Sequence, residues 1–138
     1  IIVRTSWVYS KFGNNFVKTM QRLAETKDQI SVVSDQIGSP TNAADLAEAI
    51  LIILPKIRNE TIEVFHYSNE GVCSWYDFAH AIFDVKGISI KLDTIESSDY
   101  TTPAKRPFYS VLNKEKIKQC YQVKIPFWKK SLDNCITK

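Results

Sequence analysis

Apolar and polar positions along the chain change period several times, and each change marks an element. Ile1, Ile2 and Val3 are a β-branched run that surfaces at Arg4 and Thr5, which predicts a first strand. Residues 6–9 continue into a loop that ends at Gly13. Asn14 or Asn15 can cap the helix that follows, in which Phe16, Met20 and Leu23 recur at i, i+4 and i+7 as one buried stripe. That helix frays near Lys27 and Asp28. Residues 30–33 predict a second, short strand, and residues 34–41 form a loop with one glycine, one proline and several polar side chains.

Residues 43–54 are strongly apolar at helical length. Leu46, Ala47, Ala49, Ile50, Ile53 and Leu54 surround the axis broadly, as in a helix covered by sheet on one side and protein on the other, and Pro55 stops it. Residues 61–67 predict a strand with Ile62, Val64 and His66 on one face and Glu63 and Phe65 on the other. Glu70-Gly71 makes a turn. Ser74-Trp75-Tyr76-Asp77 is a capping box opening a helix with Trp75, Phe78, Ala79, Ile82 and Phe83 toward the core, ending before Gly87. Residues 88–95 alternate as a half-exposed strand does, and Pro103 and Pro107 keep residues 97–107 irregular. Asn113 caps a short basic helix reaching about Tyr121. A last helix starts near Pro126, with Phe127, Trp128, Leu132 and Ile136 as its apolar side. Strands alternating with helices predict an α/β fold, with room for a small subdomain in the tail.

Composition narrows the class. At 138 residues and 44% hydrophobic, the chain predicts one core and is short for two. No apolar run approaches the ~20 residues needed to span a bilayer, and Asp45 and Glu48 interrupt the most apolar helix. The net charge of +3 is scattered, without the basic stripe interleaved with aromatics that nucleic-acid binding needs. Cys73, Cys120 and Cys135 are odd in number and lack CxxC spacing, which predicts reduced thiols and a cytoplasmic location, not a disulfide framework or zinc site. The opening Ile1-Ile2-Val3 has no initiator methionine and no basic signal-peptide region. It reads as a strand entered from preceding sequence, in a portion of a longer protein.

The search for chemistry yields binding surface and no catalytic set. Gly13, Gly38, Gly71 and Gly87 are too far apart for GxGxxG or a P-loop. No tyrosine has a lysine four residues on, so a Tyr-x-x-x-Lys proton relay is absent, and neither His66 nor His80 has a partner at metal-ligand spacing. Three stretches stand out. Residues 4–9 leave a strand end with two aromatics, residues 35–41 leave another, and residues 102–107 are a rigid loop carrying Lys105 and Arg106. In an open α/β sheet, ligands sit outside the carboxyl ends of the strands, so Asp35, Gln36, Ser39 and Thr41 would line that rim. The plainer alternative gives Gly38 a positive φ and uses the polar side chains to satisfy turn backbone. Trp7 is either core or a platform for a sugar's apolar face, and Arg106 either a surface ion-pair partner or a fork for a diphosphate.

Taken together, several stretches in order closely resemble the C-terminal half of the dTDP-4-dehydrorhamnose reductases, extended short-chain dehydrogenases/reductases. They are Arg4-Thr5-Ser6-Trp7-Val8-Tyr9, Asn15-Phe16-Val17, Asp35-Gln36-Ile37-Gly38-Ser39-Pro40-Thr41, Asp45-Leu46-Ala47, Ser74-Trp75-Tyr76-Asp77-Phe78-Ala79 and Thr102-Pro103-Ala104-Lys105-Arg106-Pro107. The resemblance implies an NAD(P)-binding Rossmann-like fold of which residues 1–138 are the C-terminal substrate-binding region: the last Rossmann strands and helices plus a small α/β subdomain. It implies an N-terminal half elsewhere that holds NADPH or NADH and the Tyr-x-x-x-Lys pair. The implied reaction is hydride transfer to C4 of dTDP-4-dehydro-L-rhamnose, giving dTDP-L-rhamnose for polysaccharide. Carried over by position, Trp7 is similar to the sugar-contacting tryptophan and Arg106 to a nucleotide-diphosphate ligand. Gln36 and Asn15 line the cleft, and Ser6 approaches the nicotinamide.

Two departures from the family pattern are Ser10, where Gly is usual, and Asn113, where Asp is common. Some members bind Mg2+ through carboxylates at a homodimer interface, and no residue here is assigned to it. The alternative of another class is a non-catalytic nucleotide-sugar-binding or regulatory subunit of the same fold.

Overall fold

The computed structural model describes residues 1–58 and 60–137. In chain order the strands are β1 (Ile2–Arg4), β2 (Val8–Tyr9), β3 (Gln29–Val33), β4 (Ile37–Gly38), β5 (Thr41–Asn42), β6 (Val64–His66), β7 (Cys73–Ser74) and β8 (Lys91–Ile95). The helices are α1 (Phe16–Ala24), α2 (Ala43–Ile53), α3 (Trp75–Lys86), α4 (Glu115–Tyr121) and α5 (Trp128–Thr137), with a 3-10 turn at Leu54–Lys56. The strands pair in twos: β1 with β6, β2 with β5 and β3 with β8, all parallel, and β4 with β7, antiparallel. The fold is therefore α/β, and β2, β4, β5 and β7 are very short strands inside segments whose composition reads as loop.

The caps predicted from sequence form at α1 and α3. Asn15 caps α1 by accepting the Lys18 amide, and Ser74 and Asp77 close the reciprocal box at the start of α3. Gly87 ends α3 at φ 64. At α4 the cap position falls on Lys114, without a side-chain bond, and Asn113, one residue earlier than a cap, accepts the Glu115 amide.

Four expectations are corrected. Two buried clusters form, not one. The larger joins α1, α3, α5 and β3 around Met20, Val32, Phe78, Ile82, Trp128 and Leu132. The smaller lies between α2, β6 and α4 around Ala49, Ile53, Phe65, Ile117 and Tyr121. The β1–β6 pair belongs to the smaller cluster, with Phe65 in it and Val3 packed against it. Second, α2 is not buried all round. Ala49 and Ile53 face in, whereas Leu51 is 69% exposed and Ile50, Ile52 and Leu54 are exposed too. Among the described residues β1 is paired on one side only. Third, the faces of residues 61–67 are exchanged: Phe65 and Tyr67 are 2% and 1% exposed, while Ile62 is 79% exposed. Parallel pairing of Val3 with Phe65 sets that register, and the period alone does not. Fourth, Phe127 precedes α5 and lies outside the core, its ring filling the space a side chain at Gly71 would take.

A buried polar hub ties these layers together. Asn69 accepts the Asn42 amide at 2.8 Å and donates to Asp45 at 2.6 Å and to the Ser131 hydroxyl at 3.0 Å. The Asn42 side chain donates to the Ser131 carbonyl at 3.1 Å. The hub thus joins the start of α2, the exit of β6 and α5, beside the backbone bonds of Glu70 with Pro126 and Trp128.

Candidate functional site

The carboxyl end of β1 delivers Thr5, Ser6 and Trp7 to one edge of the molecule. Ser6 donates its hydroxyl to the Ser39 carbonyl at 3.3 Å, and the Thr41 amide donates to the Trp7 carbonyl at 3.1 Å. Between them Trp7 is held at φ 49, a left-handed conformation unusual for a bulky residue. Such strain persists only where the surroundings over-determine it. Here they do. The Trp7 indole stacks on Trp75, with centroids 3.6 Å apart and planes within 10°, and Phe16 tilts against Trp75 at 4.7 Å. On another side the Trp7 ring lies against Gly38, where a Cβ would stand 2.5 Å from Cε2 and 2.6 Å from Cζ2.

Gly38 therefore has a role other than the one its place in a turn suggests. It lies in β4 without positive φ, and what it supplies is space for an indole. The neighbouring polar side chains are correspondingly less open than a rim would be. Ser39 and Thr41 are fully buried, with the Ser39 hydroxyl donating to the Gly71 carbonyl at 2.7 Å, and Asn42 caps α2.

The segment of residues 35–38 also carries the long loop of residues 97–110. At one end, both Asp35 carboxylate oxygens accept the Ser97 amide at 3.0 Å, and one accepts the Ser97 hydroxyl at 2.7 Å. These bonds hold the Asp35 carboxyl below its ordinary range, the side-chain bond first. Gln36 is buried and donates its side-chain amide to the Ser97 hydroxyl at 2.8 Å. At the other end the Ile37 amide donates to the Phe108 carbonyl at 2.7 Å, the Ser110 amide donates to the Ile37 carbonyl at 2.8 Å, and Ile37 bridges Tyr109 in parallel. Arg106 is three residues before Tyr109 of this bridge. Its side chain is exposed, and no carboxylate among the described residues forms an ion pair with it.

Ser6 and Trp7 touch Ser39 and Gly38, and Gln36 and Ile37 of the same segment hold the loop that carries the exposed Arg106, so residues up to one hundred positions apart in sequence are linked through β4. Asn15 does not join them directly. Its side chain is committed to the loop before α1, donating to the Ser10 and Phe12 carbonyls and accepting from Lys18. It reaches the edge only through its neighbour Phe16. Sequence reasoning missed Trp75 and Ser97. Trp75 read as core because it sits on the apolar side of α3, and Ser97 has no local signal at all. Its importance comes from β3 and β8 being in register over five pairs, which brings residues 35 and 97 together.

The residues present also test which groups the edge could hold. The end of a parallel strand at Ser6 suits the rim of a dinucleotide site, while the absence of a glycine-rich loop leaves this chain no cradle for its phosphates. Among the described residues no three His, Cys, Asp or Glu side chains are gathered in a metal-binding cluster. A separate groove of about 280 Å3 beside α2, lined by Asp45, Glu48, Tyr67 and Lys124 among others, shares no residue with this edge. Among the described residues no helix is long and apolar enough to cross a membrane.

A family profile described as the RmlD substrate binding domain matches residues 1–138. The sequence is 44% identical over 131 residues to the spore coat polysaccharide biosynthesis protein SpsK of Bacillus subtilis, covering 95% of this chain and 44% of that protein. It is 40% identical over 138 residues to a dTDP-4-dehydrorhamnose reductase of Sinorhizobium fredii, covering 94% and 47% respectively. Among solved structures, a dTDP-4-dehydrorhamnose reductase of Clostridium acetobutylicum matches with a TM-score of 0.89 at 42% identity, over 99% of this chain and 47% of that one. Another, from Bacillus anthracis in complex with NADP, matches with a TM-score of 0.86 at 39% identity over the same shares. The chain spans about half the length of the curated relatives it matches.

Proposed function

The chain belongs to the RmlD substrate binding domain family, and from that premise we propose that residues 1–138 are the nucleotide-sugar-binding region of a dTDP-4-dehydrorhamnose reductase. The whole enzyme reduces the 4-keto group of dTDP-4-dehydro-L-rhamnose with NADPH or NADH, giving dTDP-L-rhamnose. The reduced nicotinamide supplies the hydride for C4. A tyrosine outside this sequence supplies the proton, with a lysine beside it to lower the phenol pKa; such general acid help is worth about 10²–10⁴ in rate. This chain alone has neither and is inactive.

What these residues do is bind and orient. Trp75 covers one face of the Trp7 indole, so the sugar meets the remaining open part of that ring. The fixed backbone at Trp7 holds the ring in place before substrate arrives, which spares the ordering cost on binding. Arg106 offers two parallel donors to the diphosphate. Gln36 supports the loop that carries Arg106, and Asn15 shapes the approach through Phe16. Ser6, at the end of β1, faces the nicotinamide. The open edge of β1 and the apolar outer face of α2 support a partner half of the same protein packing there, and a homodimer is compatible with it. No step is assigned to Mg2+.

The observation that carries this reading is the strained Trp7, wedged between Trp75 and Gly38 beside the pinned loop of residues 97–110. The test uses the full-length protein. It should oxidise NAD(P)H only when dTDP-4-dehydro-L-rhamnose is present. Trp7→Ala should lower kcat/KM about two- to tenfold, the range of one aromatic contact. Unchanged kcat/KM would remove Trp7 from the sugar site, and no NAD(P)H oxidation would remove the reductase assignment.

A further inference from the structure

We infer that Asp35 is a positioning residue: through Ser97 it sets the loop of residues 97–110, and with it the Arg106 guanidinium, at the sugar-nucleotide edge. The inference rests on the proposed reductase function.

The loop has two roots, and both are on the same short segment. Its far root is made by backbone, at Ile37 with Phe108 and Ser110. Its near root is made by side chains. The β3–β8 ladder runs from Gln29 opposite Lys91 to Val33 opposite Ile95, and the Ser34 amide extends it to the Ile95 carbonyl at 3.0 Å. One residue on, regular pairing stops and the Asp35 carboxylate takes over, accepting both donors of Ser97. Hydrogen bonds to an ionised acceptor are roughly twice as strong as neutral ones. Among the described residues Asp35 has no ion-pair partner, so its charge serves Ser97. The Ser97 hydroxyl is in turn oriented by Gln36, which leaves it a single direction in which to donate.

Between the roots the loop is held by short local contacts, such as Asp99 to Glu96 and Thr102 to the Ala104 carbonyl, and is stiffened by Pro103 and Pro107. A stiff segment fixed at both ends transmits the setting of either root to its middle. Arg106, exposed and without an ion pair of its own, is in that middle. An asparagine at position 35 would keep the shape and lose the charge and one acceptor.

The experiment combines steady-state kinetics and proteolysis on the full-length enzyme. Arg106→Ala should raise KM for the dTDP-sugar. Asp35→Asn should raise the same KM about threefold or more with kcat held within about twofold, and the double variant should match Arg106→Ala alone. Effects that multiply, or a loss confined to kcat, would overturn the role of Asp35 and leave the reductase function standing. An Arg106→Ala variant with wild-type KM would overturn the inference together with the diphosphate role of Arg106. A wild-type enzyme that does not turn over the dTDP-sugar at all would instead sink the proposed function.

Trypsin gives a readout independent of turnover. Between Lys91 and Lys114 the only bond open to it is that after Lys105, because Pro107 follows Arg106. Asp35→Asn should speed cleavage there several-fold while other sites keep their rates, and an unchanged rate overturns the inference whatever the kinetics show. If Asp35→Asn does not fold, Ser97→Ala, which removes the hydroxyl and keeps the amide bond, decides by the same two assays.

Discussion

Replacing Gly38 with alanine adds a single methyl group at the most crowded point of the edge. The Gly38 backbone has no positive φ, so an L-residue fits its dihedrals and the whole cost is steric. The new carbon would stand 2.5 Å from Trp7 Cε2, 2.6 Å from Cζ2 and 2.9 Å from the Ser110 hydroxyl oxygen. Ordinary carbon contacts are near 3.5–4.0 Å, so something must move by about 1 Å. Trp7 has little room to give: Trp75 is stacked 3.6 Å away on its face, and its backbone is already at φ 49. Overpacking of this kind costs about 1–3 kcal/mol, to which loss of the indole pair would add about 0.5–1.5 kcal/mol. In a domain of about this size each kcal/mol moves Tm by roughly 2–8 °C. Scanning fluorimetry of wild type, Gly38→Ala, Trp7→Ala and the double variant measures it. With the indole gone only the Ser110 hydroxyl, a side-chain end that can rotate away, still crowds the methyl at 2.9 Å, so the double variant should be only slightly less stable than Trp7→Ala. Costs that simply add would refute the steric argument, because each change would then be acting on different neighbours.

Two further outcomes follow from buried groups. Asn69→Leu strands the buried Asn42 amide and takes one donor from Asp45, which keeps the Ser131 hydroxyl; with an orphaned buried donor costing about 1–3 kcal/mol, chemical denaturation should show a loss in that range, and a loss below about 0.5 kcal/mol would mean that the hub does not hold the layers. Burial, assisted by the Asp77 carboxylate, pushes the Cys73 thiol from 9.0 up to about 12. The neutral thiol is the form the fold favours, so its contribution is whole below pH 9.0 and is lost as pH rises toward about 12, a slope that Cys73→Ala should flatten. Iodoacetamide at neutral pH should correspondingly modify exposed Cys120 and spare Cys73 in the folded enzyme, as peptide mass mapping would show.

By itself the sequence determined the α/β class, the caps at Ser74 and Gly87, and the family motifs, because each depends on neighbours within a few residues. A serine three positions before an aspartate closes its box wherever the helix is finally packed. The tertiary structure alone decided which face of residues 61–67 points inward, since a period of two leaves the phase open until β1 pairs with β6. It also decided that α2 keeps an apolar face outward, that Gly38 makes room for Trp7, and that Asp35 holds Ser97. In each case the partner is contributed by another element or, for the outer face of α2, is not among the described residues. Local periodicity carries the element, and only long-range pairing fixes what that element meets.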